Sequence, residues 1–267
     1  VSRVERSHMS TVLDSIVEGV RIDLAGRKSL ASAHELRDVA QRRVPARNAV
    51  ADLAKNAFSV IAEVKRASPS KGDLAPIADP AALAAEYQAG GAGAVSVLTE
   101  ARRFGGSLAD LEAVRDAVTV PVLRKDFMVD EYQVIEARAH GADIILLIVA
   151  GLDDHVMADL AQTACDLGMS VLFEVHDEHE LERAMALQPG IVGVNARNLK
   201  TLDVDLAVCE RLLPRIPAGI VAVAESGIAT VHDVQRVAAA GATAVLVGEA
   251  LVQSVDPTAT IRQWIAV

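Results

Sequence analysis

The segment Ile61–Ser70, IAEVKRASPS, decides the fold because it sets two opposite charges at the end of an apolar run. Glu63 and Lys65 are two residues apart, and side chains two apart on a strand point to the same face. The aliphatic side chains between and before them take the opposite face, and Ser-Pro-Ser ends the strand. Such a strand is typical of the mouth of a parallel α/β barrel, where the catalytic groups of barrels collect.

The composition favours a single domain built on buried parallel strands. The chain has 267 residues, of which 51% are hydrophobic but only 3% aromatic, so its core must consist of Ala, Val, Leu and Ile. A length of roughly 250 residues is ordinary for one barrel. The net charge of −10 argues against nucleic acid as a partner, because that binding requires clustered Lys and Arg. A small anionic substrate remains compatible with it.

Cysteine usage and hydropathy predict a cytoplasmic protein without a membrane segment. Cys165 and Cys209 are the only cysteines, and two widely separated thiols indicate a reducing compartment and no metal motif. The longest apolar stretch, Ile144–Ala150, is far shorter than the roughly 20 residues of a membrane span. Residues 1–8, before Met9, are interpreted as added or upstream residues and not as a signal peptide. The sequence assigns no protein partner.

Three helical segments precede the first strand and form an N-terminal extension over residues 9–57. Apolar residues recur at helical spacing from Thr11 to Lys28. A more charged helix is expected over Ala31–Arg43, and a third over Arg47–Asn56, with Pro45 between them.

Eight short aliphatic runs alternate with Ala-rich helical stretches over residues 58–267. The runs are Phe58–Val64, Ala94–Leu98, Val122–Lys125, Ile144–Val149, Ser170–Val175, Ile191–Asn195, Ile220–Glu225 and Ala244–Val247. Each parallel pairing needs a crossover helix, so the pattern predicts a closed (β/α)8 TIM barrel that forms one domain with the extension. The alternative is an open doubly wound sheet, which usually carries a Gly-rich loop where this chain has KRASPS.

Polar residues end most of the runs, where barrel enzymes carry their active groups. They are Glu63 and Lys65, Thr99 and Glu100, Lys125 and Asp126, Glu174, Asn195 and Arg197, Glu225 and Ser226, and Gly248. Two lysines and several carboxylates in a partly desolvated mouth can serve as acids and bases. The structural alternative is a set of salt bridges that holds the barrel rim.

Two turns near the carboxyl terminus predict a phosphate site. AESGIAT and VGEAL place Gly227 and Gly248 next to helix starts, where backbone N–H groups bind phosphate in many barrels. His176 follows Glu174 by two residues, but its acidic neighbours favour a solvated loop histidine over a site residue. No metal and no cofactor are expected.

Seven blocks of sequence occur in a defined order: IAEVKRASPSKG, SVLTEARRFGGSLADL, PVLRKDFMVDEYQVIEARAHGADIILLI, FEVH, GVNARNLKTLDVD, AESGI and LVGEAL. Their order and spacing resemble those of the indole-3-glycerol phosphate synthase family of tryptophan biosynthesis. The resemblance implies a barrel whose helical extension helps to cover the mouth. It also implies the cofactor-free conversion of 1-(o-carboxyphenylamino)-1-deoxyribulose 5-phosphate to indole-3-glycerol phosphate, CO2 and water.

The resemblance further implies roles for the charged residues. Lys125, in LRKDF, would be the general acid at the ketone that the aromatic ring attacks. Glu174, in FEVH, would be the general base of the later dehydration. Lys65 would position the substrate and support proton transfer, while Glu63 and Asn195 would orient the lysines and the sugar hydroxyls.

The remaining implied residues line the substrate site. Glu225 would form a further polar wall, Arg197 would lie at the rim near anionic groups, and Ser68 would contact the substrate. The phosphate would be held by Ser226, Gly227, Gly248 and Glu249, and the anthranilate ring by Phe104, Phe127, Leu146, Leu199 and Leu246. Many relatives carry serine at the position of Glu249, so only the backbone N–H of this residue is expected to bind phosphate.

Three other functions compete with this reading. An Amadori isomerase of the same pathway would need a Cys or Asp base on the first strand, which ends here in Glu-Val-Lys. A Schiff-base aldolase would use Lys125 or Lys65 as a nucleophile. A catalytically silent barrel could serve as a partner subunit, although the full charged set argues against that.

Overall fold

The aliphatic runs form eight parallel strands that close into a barrel in the computed structural model, which describes residues 12–267. The strands are β1 (Ser59–Val64), β2 (Ala94–Leu98), β3 (Val122–Lys125), β4 (Ile144–Ile148), β5 (Ser170–Val175), β6 (Ile191–Asn195), β7 (Val221–Glu225) and β8 (Ala244–Val247). Each strand pairs with its neighbours in sequence, and β8 pairs with β1. The predicted (β/α)8 barrel is confirmed. Residues 1–8 and Thr11, the predicted start of the first helix, lie outside the described residues.

Helices precede the barrel and alternate with its strands. The extension contains α1 (Val12–Leu30), α2 (Ala33–Arg42) and α3 (Ala49–Leu53). The later helices are α4 (Pro80–Ala89), α5 (Ala101–Phe104), α6 (Leu108–Ala117), α7 (Glu131–Ala139), α8 (Asp154–Asp166), α9 (Glu178–Met185), α10 (Ala207–Leu212), α11 (Val231–Ala239), α12 (Glu249–Val252) and α13 (Pro257–Ile265). Within residues 12–267, none of the helices has the length and hydropathy needed to cross a bilayer.

The strand predictions hold to within one residue, and the helix predictions are less accurate. The third predicted helix shortens to α3, because Asn48 caps its start by accepting a hydrogen bond from the Ala51 N–H. A feature not predicted is a two-stranded hairpin after β1, which pairs Ala67–Ser68 with Gly72–Asp73. The hairpin includes the Ser-Pro-Ser segment that ends the first strand. The division into residues 9–57 and 58–267 stays a prediction.

Strand side chains alternate between the barrel interior and the layer beneath the helices. The interior cluster contains Ile61, Leu123, Leu172 and Val223, whereas Val60 belongs to the outer cluster. Glu63, Lys125, Glu174 and Glu225 each follow one of these interior residues by two positions. The charged residues therefore share the inward face, as the period of two predicts.

The helix α3 closes the amino-terminal end of the barrel. Ala49 and Leu53 are buried in the interior cluster. Gly93 and Gly190, which precede β2 and β6, are bounded by the side chains of Leu53 and Val50. The barrel is thus filled at this end and open only at the mouth where the polar residues gather.

A series of ion pairs joins α1 to the strand that carries Lys125. Arg27 Nε lies 2.9 Å from Glu136 Oε1 on α7, and Glu136 Oε2 lies 2.9 Å from Arg124 Nη1 on β3. Arg124 Nη2 also donates to Asp126 Oδ2 at 3.0 Å. Arg124 is only 1% exposed, so its charge depends on these carboxylates for compensation.

Glu136→Ala should lower the free energy of unfolding by about 3 kcal/mol, because it leaves a buried guanidinium short of a partner. Urea denaturation monitored by circular dichroism measures the change. The matched control is Glu131→Ala on the same helix, which breaks the exposed pair with Arg37 and should cost at most ~1 kcal/mol. Equal losses in the two variants would contradict the role of buried charge compensation.

Candidate active site

Five polar side chains at the carboxyl ends of the strands meet in the barrel mouth. Glu63 lies on β1, Lys125 ends β3, Glu174 lies on β5, and Asn195 and Glu225 end β6 and β7. The strand register sets Asn195 beside Glu225. The three carboxylates and the amide are buried, which strengthens every electrostatic interaction among them.

Lys125 is the centre of this cluster. Its Nζ lies 3.3 Å from Glu225 Oε2, 3.6 Å from Glu63 Oε2 and 3.9 Å from Glu174 Oε2. Burial lowers the pKa of Lys125, but the charges of Glu63, Glu225 and Glu174 outweigh it, so the pKa lies above its ordinary value. The amine is therefore protonated at neutral pH and can donate a proton.

Glu63 bridges the two lysines of the site. Its Oε1 lies 3.1 Å from Lys65 Nζ, and its Oε2 faces Lys125 and accepts a hydrogen bond from Ser96 Oγ at 3.2 Å. Burial raises the pKa of Glu63, but Lys65 and Lys125 outweigh that effect and keep the net pKa below its usual value. Glu63 therefore remains ionised and holds both ammonium groups in place.

Glu174 and Glu225 share Lys125 but have opposite protonation preferences. Burial raises the pKa of Glu174, yet His176 and Lys125 outweigh burial, and the net pKa is lowered. For Glu225, burial together with the charge of Glu174 outweighs the attraction of Lys125, and its pKa is raised. The pair thus supplies one ionised carboxylate and one carboxyl that tends to hold a proton, a combination typical of acid–base sites.

Two glycines make room for the carboxylates. A Cβ atom at Gly193 would lie 2.0 Å from Glu225 Oε1, and one at Gly248 would lie 2.7 Å from Glu63 Oε1. Neither distance is compatible with a side chain at those positions. Burial of the Glu225 and Glu63 carboxylates thus requires glycine at position 193 on β6 and at position 248 after β8.

The turn after β7 has a backbone shape that few sequences adopt. Ser226 and Gly227 are both left-handed, with φ of 64° and 76°. Left-handed backbone at a serine is uncommon and is typical of ligand-binding turns. Gly248 is the residue before the short helix α12. The predicted phosphate residues therefore form two adjoining turns at one side of the mouth.

The hairpin after β1 reaches across the mouth towards these turns. Lys71 forms a salt bridge with the Glu249 carboxylate, and Arg197 Nη1 donates to Ser70 Oγ at 3.4 Å. Ser68 is buried, and its Oγ has no hydrogen-bond partner among the described residues. An unpaired buried hydroxyl in a binding cavity is available to a substrate.

Apolar side chains form other parts of the cavity wall. The rings of Phe104 and Phe127 lie 6.1 Å apart between centroids and are tilted by 39°. Leu146 and Leu246 are buried, and Leu199 packs against the same interior cluster. Together they provide apolar surface against which an aromatic ring can pack.

Of the predicted strand-end residues, Thr99 and Glu100 do not line the cavity of the barrel mouth, whose volume is about 590 Å³. All of the site residues that the family resemblance implies do line it. They are Glu63, Lys65, Ser68, Phe104, Lys125, Phe127, Leu146, Glu174, Asn195, Arg197, Leu199, Glu225, Ser226, Gly227, Leu246, Gly248 and Glu249. Val12, Leu13 and Ile16 of α1 also line it and were not predicted. Within the described part of the chain, no three His, Cys, Asp or Glu side chains are grouped to hold a metal ion.

The prediction that His176 is a solvated loop residue is wrong. Its side chain is only 13% exposed and lies between Glu174 and Glu180. Burial lowers the pKa of His176, but the two carboxylates outweigh it and raise the pKa to about 10. The missed partner, Glu180, is the third residue of α9, and its side chain reaches back past the N-cap Asp177 to His176.

Fold and site together define a (β/α)8-barrel enzyme with a buried acid–base cluster beside turns for a phosphorylated small molecule. The chain belongs to the indole-3-glycerol phosphate synthase family, whose sequence model matches residues 13–264. The resemblance drawn from the seven sequence blocks is confirmed.

Curated relatives match almost the entire chain. It is 56% identical over 256 residues to indole-3-glycerol phosphate synthase 1 of Streptomyces coelicolor, covering 96% of this chain and 95% of that protein. It is 57% identical over 259 residues to the indole-3-glycerol phosphate synthase of Paenarthrobacter aurescens, covering 95% of each. The enzyme of the same name from Mycolicibacterium smegmatis is 54% identical over 256 residues, covering 96% and 94%.

Solved structures of other barrels share the fold. A 3-hexulose-6-phosphate synthase superposes with a TM-score of 0.60 at 18% identity, covering 78% of this chain and 99% of that one. The thiamine phosphate pyrophosphorylase of Pyrococcus furiosus gives 0.58 at 16% identity, covering 81% and 96%. At this level of identity the similarity concerns the barrel alone.

Gly193→Ala should lower the free energy of unfolding by about 1–3 kcal/mol, because the added methyl group overlaps the Glu225 carboxylate. Chemical denaturation measures the loss. It should largely disappear when Glu225→Ala is the background, because the overlapping atoms are then absent. As a control, Gly26→Ala adds a methyl group to α1 where nothing lies within 4 Å. An equal loss in the Glu225→Ala background would refute the steric explanation.

Proposed function

We propose that the barrel mouth converts 1-(o-carboxyphenylamino)-1-deoxyribulose 5-phosphate to indole-3-glycerol phosphate, CO2 and water, with Lys125 as general acid and Glu174 as general base. The observation that carries the assignment is the Lys125 ammonium within 3.9 Å of three carboxylates in the cavity. It supplies a proton donor at the point where an attacked ketone would develop negative charge.

Ring closure joins the aromatic carbon that bears the carboxylate to the ketone carbon. Lys125 protonates the ketone oxygen as the new C–C bond forms. The C–CO2 bond then breaks, and its electron pair returns to the ring. Phe104, Phe127 and Leu146 surround the carboxylate with apolar groups, which favours loss of its charge as CO2.

Dehydration completes the indole ring. The hydroxyl formed from the ketone leaves as water with a proton from a lysine, and Glu174 removes a proton from the ring system. Glu174 lies on β5, across the mouth from Lys65 on the β1 side. Base and acid can therefore act on different sides of the substrate.

The other site residues bind and orient the substrate. Lys65, Glu63 and Asn195 align the sugar hydroxyls and the ammonium groups, and Glu225 forms a polar wall. Ser226, Gly227, Gly248 and the Glu249 N–H hold the phosphate, with Arg197 and Ser68 at the rim. The ring lies between the phenylalanines and Leu146, Leu199 and Leu246. No cofactor, nucleic acid or membrane takes part, and the free thiols of Cys165 and Cys209 favour a reducing cytoplasm.

The charge state of Lys125 disfavours the aldolase alternative. A Schiff base forms from a neutral amine, whereas the neighbouring acidic side chains, Glu63 first among them, keep Lys125 protonated. Borohydride treatment in the presence of substrate should therefore leave the chain without a covalent adduct.

Lys125→Met should reduce kcat by at least a hundredfold, because general acid catalysis contributes on the order of 10²–10⁴. The assay follows indole fluorescence after the carboxyphenylamino-deoxyribulose phosphate is added. Lys55→Met is the control, since Lys55 is exposed and pairs with Asp52 on α3. Lack of product formation by the wild-type chain at high concentration would defeat the proposed function. Unchanged kcat in Lys125→Met would defeat the role of the lysine.

Glu249→Ser should lower KM about threefold. The change removes a negative charge from the phosphate side of the cavity and releases Lys71 from its salt bridge, and exposed charge pairs of this kind contribute up to ~1 kcal/mol. The difference should shrink at high ionic strength. Glu86→Ser, on the exposed face of α4, removes the same charge outside the cavity lining and serves as the control. A higher KM for Glu249→Ser would show that its carboxylate assists binding.

A further inference from the structure

We propose that His176, fixed by Glu180, is a positioning residue that orients Glu174 and keeps it as the ionised member of the Glu174–Glu225 pair. This inference deepens the proposed function and rests on the role of Glu174 as general base. It assigns a task to two residues, on the loop after β5 and on α9, that the sequence did not identify as parts of the site.

The three side chains form a continuous row. His176 Nε2 lies 3.4 Å from Glu174 Oε1, and His176 Nδ1 lies 2.9 Å from Glu180 Oε2. The same Glu180 oxygen accepts the His176 backbone N–H at 2.8 Å. Glu180 thus holds both the ring and the backbone of the histidine, so the imidazole has little freedom to turn away.

The start of α9 fixes Glu180 in turn. Asp177 is the N-cap of this helix and accepts the Glu180 N–H at 2.8 Å. Glu180 therefore occupies the third position of the helix, from which a glutamate side chain can reach back to the residues before the cap. The loop after β5 is braced by the same contacts that present the imidazole to Glu174.

The two oxygens of Glu174 have different partners. Oε1 faces His176, while Oε2 lies 3.9 Å from Lys125 Nζ. The Glu174 carboxylate thus has a cation near each of its oxygens, which restricts its rotation. Its Oε2 therefore stays directed at the cluster in which the substrate must react, as positioning of a catalytic group requires.

The cations around the two carboxylates are unequally distributed. Glu174 contacts His176 on its own loop and Lys125 on β3, with the Asn195 amide on β6 as a further hydrogen-bond partner. Glu225 has Lys125 as its cation and the negative charge of Glu174 as a neighbour. Without the imidazolium, both carboxyls would depend on the same lysine. His176 therefore decides which of them holds the proton.

His176→Asn should reduce kcat at neutral pH about tenfold or more and change KM less than threefold. Loss of the imidazolium raises the pKa of Glu174, and a base with a raised pKa is protonated at higher pH. The acidic limb of the kcat–pH profile should therefore move upward by at least one unit, equivalent to a tenfold change in protonation. Raising the pH should restore activity. A role in folding alone would lower activity without moving the limb.

Glu180→Gln and the double variant test whether Glu180 acts through His176. Glu180→Gln should shift the acidic limb in the same direction by a smaller amount. The kcat of the double variant should equal that of His176→Asn, because the Glu180 carboxylate has no imidazole left to position. His179→Asn removes an exposed histidine from the same helix and should leave the profile unchanged. Additive losses in the double variant would contradict the proposed order of action.

An NMR titration provides a test that is independent of turnover. The His176 ring nitrogens should remain protonated at pH 8 in the wild-type chain and titrate at lower pH in Glu180→Gln. Titration of wild-type His176 near the ordinary value of about 6.5 would overturn the inference even if His176→Asn failed to fold. Glu174→Gln separates the two proposals. Full activity in that variant would refute the proposed function, whereas an inactive Glu174→Gln with an unshifted His176→Asn profile would refute only the role of His176.

Discussion

The need to neutralise the buried Lys125 ammonium governs the structure of the barrel mouth. Glu63, Glu174 and Glu225 surround it, and Lys65 adds a second cation. Two ammonium groups with three carboxylates would leave an excess negative charge in a region of low dielectric constant. The raised pKa of Glu225 removes that excess, because a proton on Glu225 leaves two cations and two anions. Charge balance and the unequal protonation of the carboxyl groups therefore have the same origin.

This charge cluster imposes conditions on the barrel that holds it. The buried carboxylates of Glu225 and Glu63 need space, which Gly193 and Gly248 provide because they have no side chain. Outside the mouth, Arg124 also requires compensation and obtains it from Asp126 and Glu136. Arg124 and Lys125 are neighbours on β3 and point to opposite faces of the strand. Ion pairs therefore hold side chains on both faces of β3. The ion pairs thus restrict the movement of the site residues, and the same charges set their protonation states.

The sequence predicted the barrel and the identity of the cluster because both follow from simple periodicities. Parallel strands end at the same edge of the sheet, and residues two apart share a face, so Glu63, Glu174 and Glu225 had to converge. Contacts between elements remote in sequence could not be derived in this way. The salt bridge from Lys71 to Glu249 and the row from Glu174 to Glu180 depend on how a hairpin and a helix start are placed. The burial of His176 was missed because acidic residues nearby in sequence were interpreted as a sign of solvent exposure. One acidic residue of this segment, Glu180, instead turns towards the imidazole and pairs with it.

The N-terminal helix α1 links water exclusion to the charge network. Val12, Leu13 and Ile16 line the cavity and add apolar surface over a site whose reaction includes loss of a carboxylate charge. At the other end of the same helix, Arg27 pairs with Glu136, which pairs with Arg124 beside Lys125. The apolar cover is thus connected through a series of ion pairs to the strand that carries Lys125. A displacement of α1 would expose the cavity to water and also remove a cation from Glu136, so closure of the mouth and placement of the acid depend on one another.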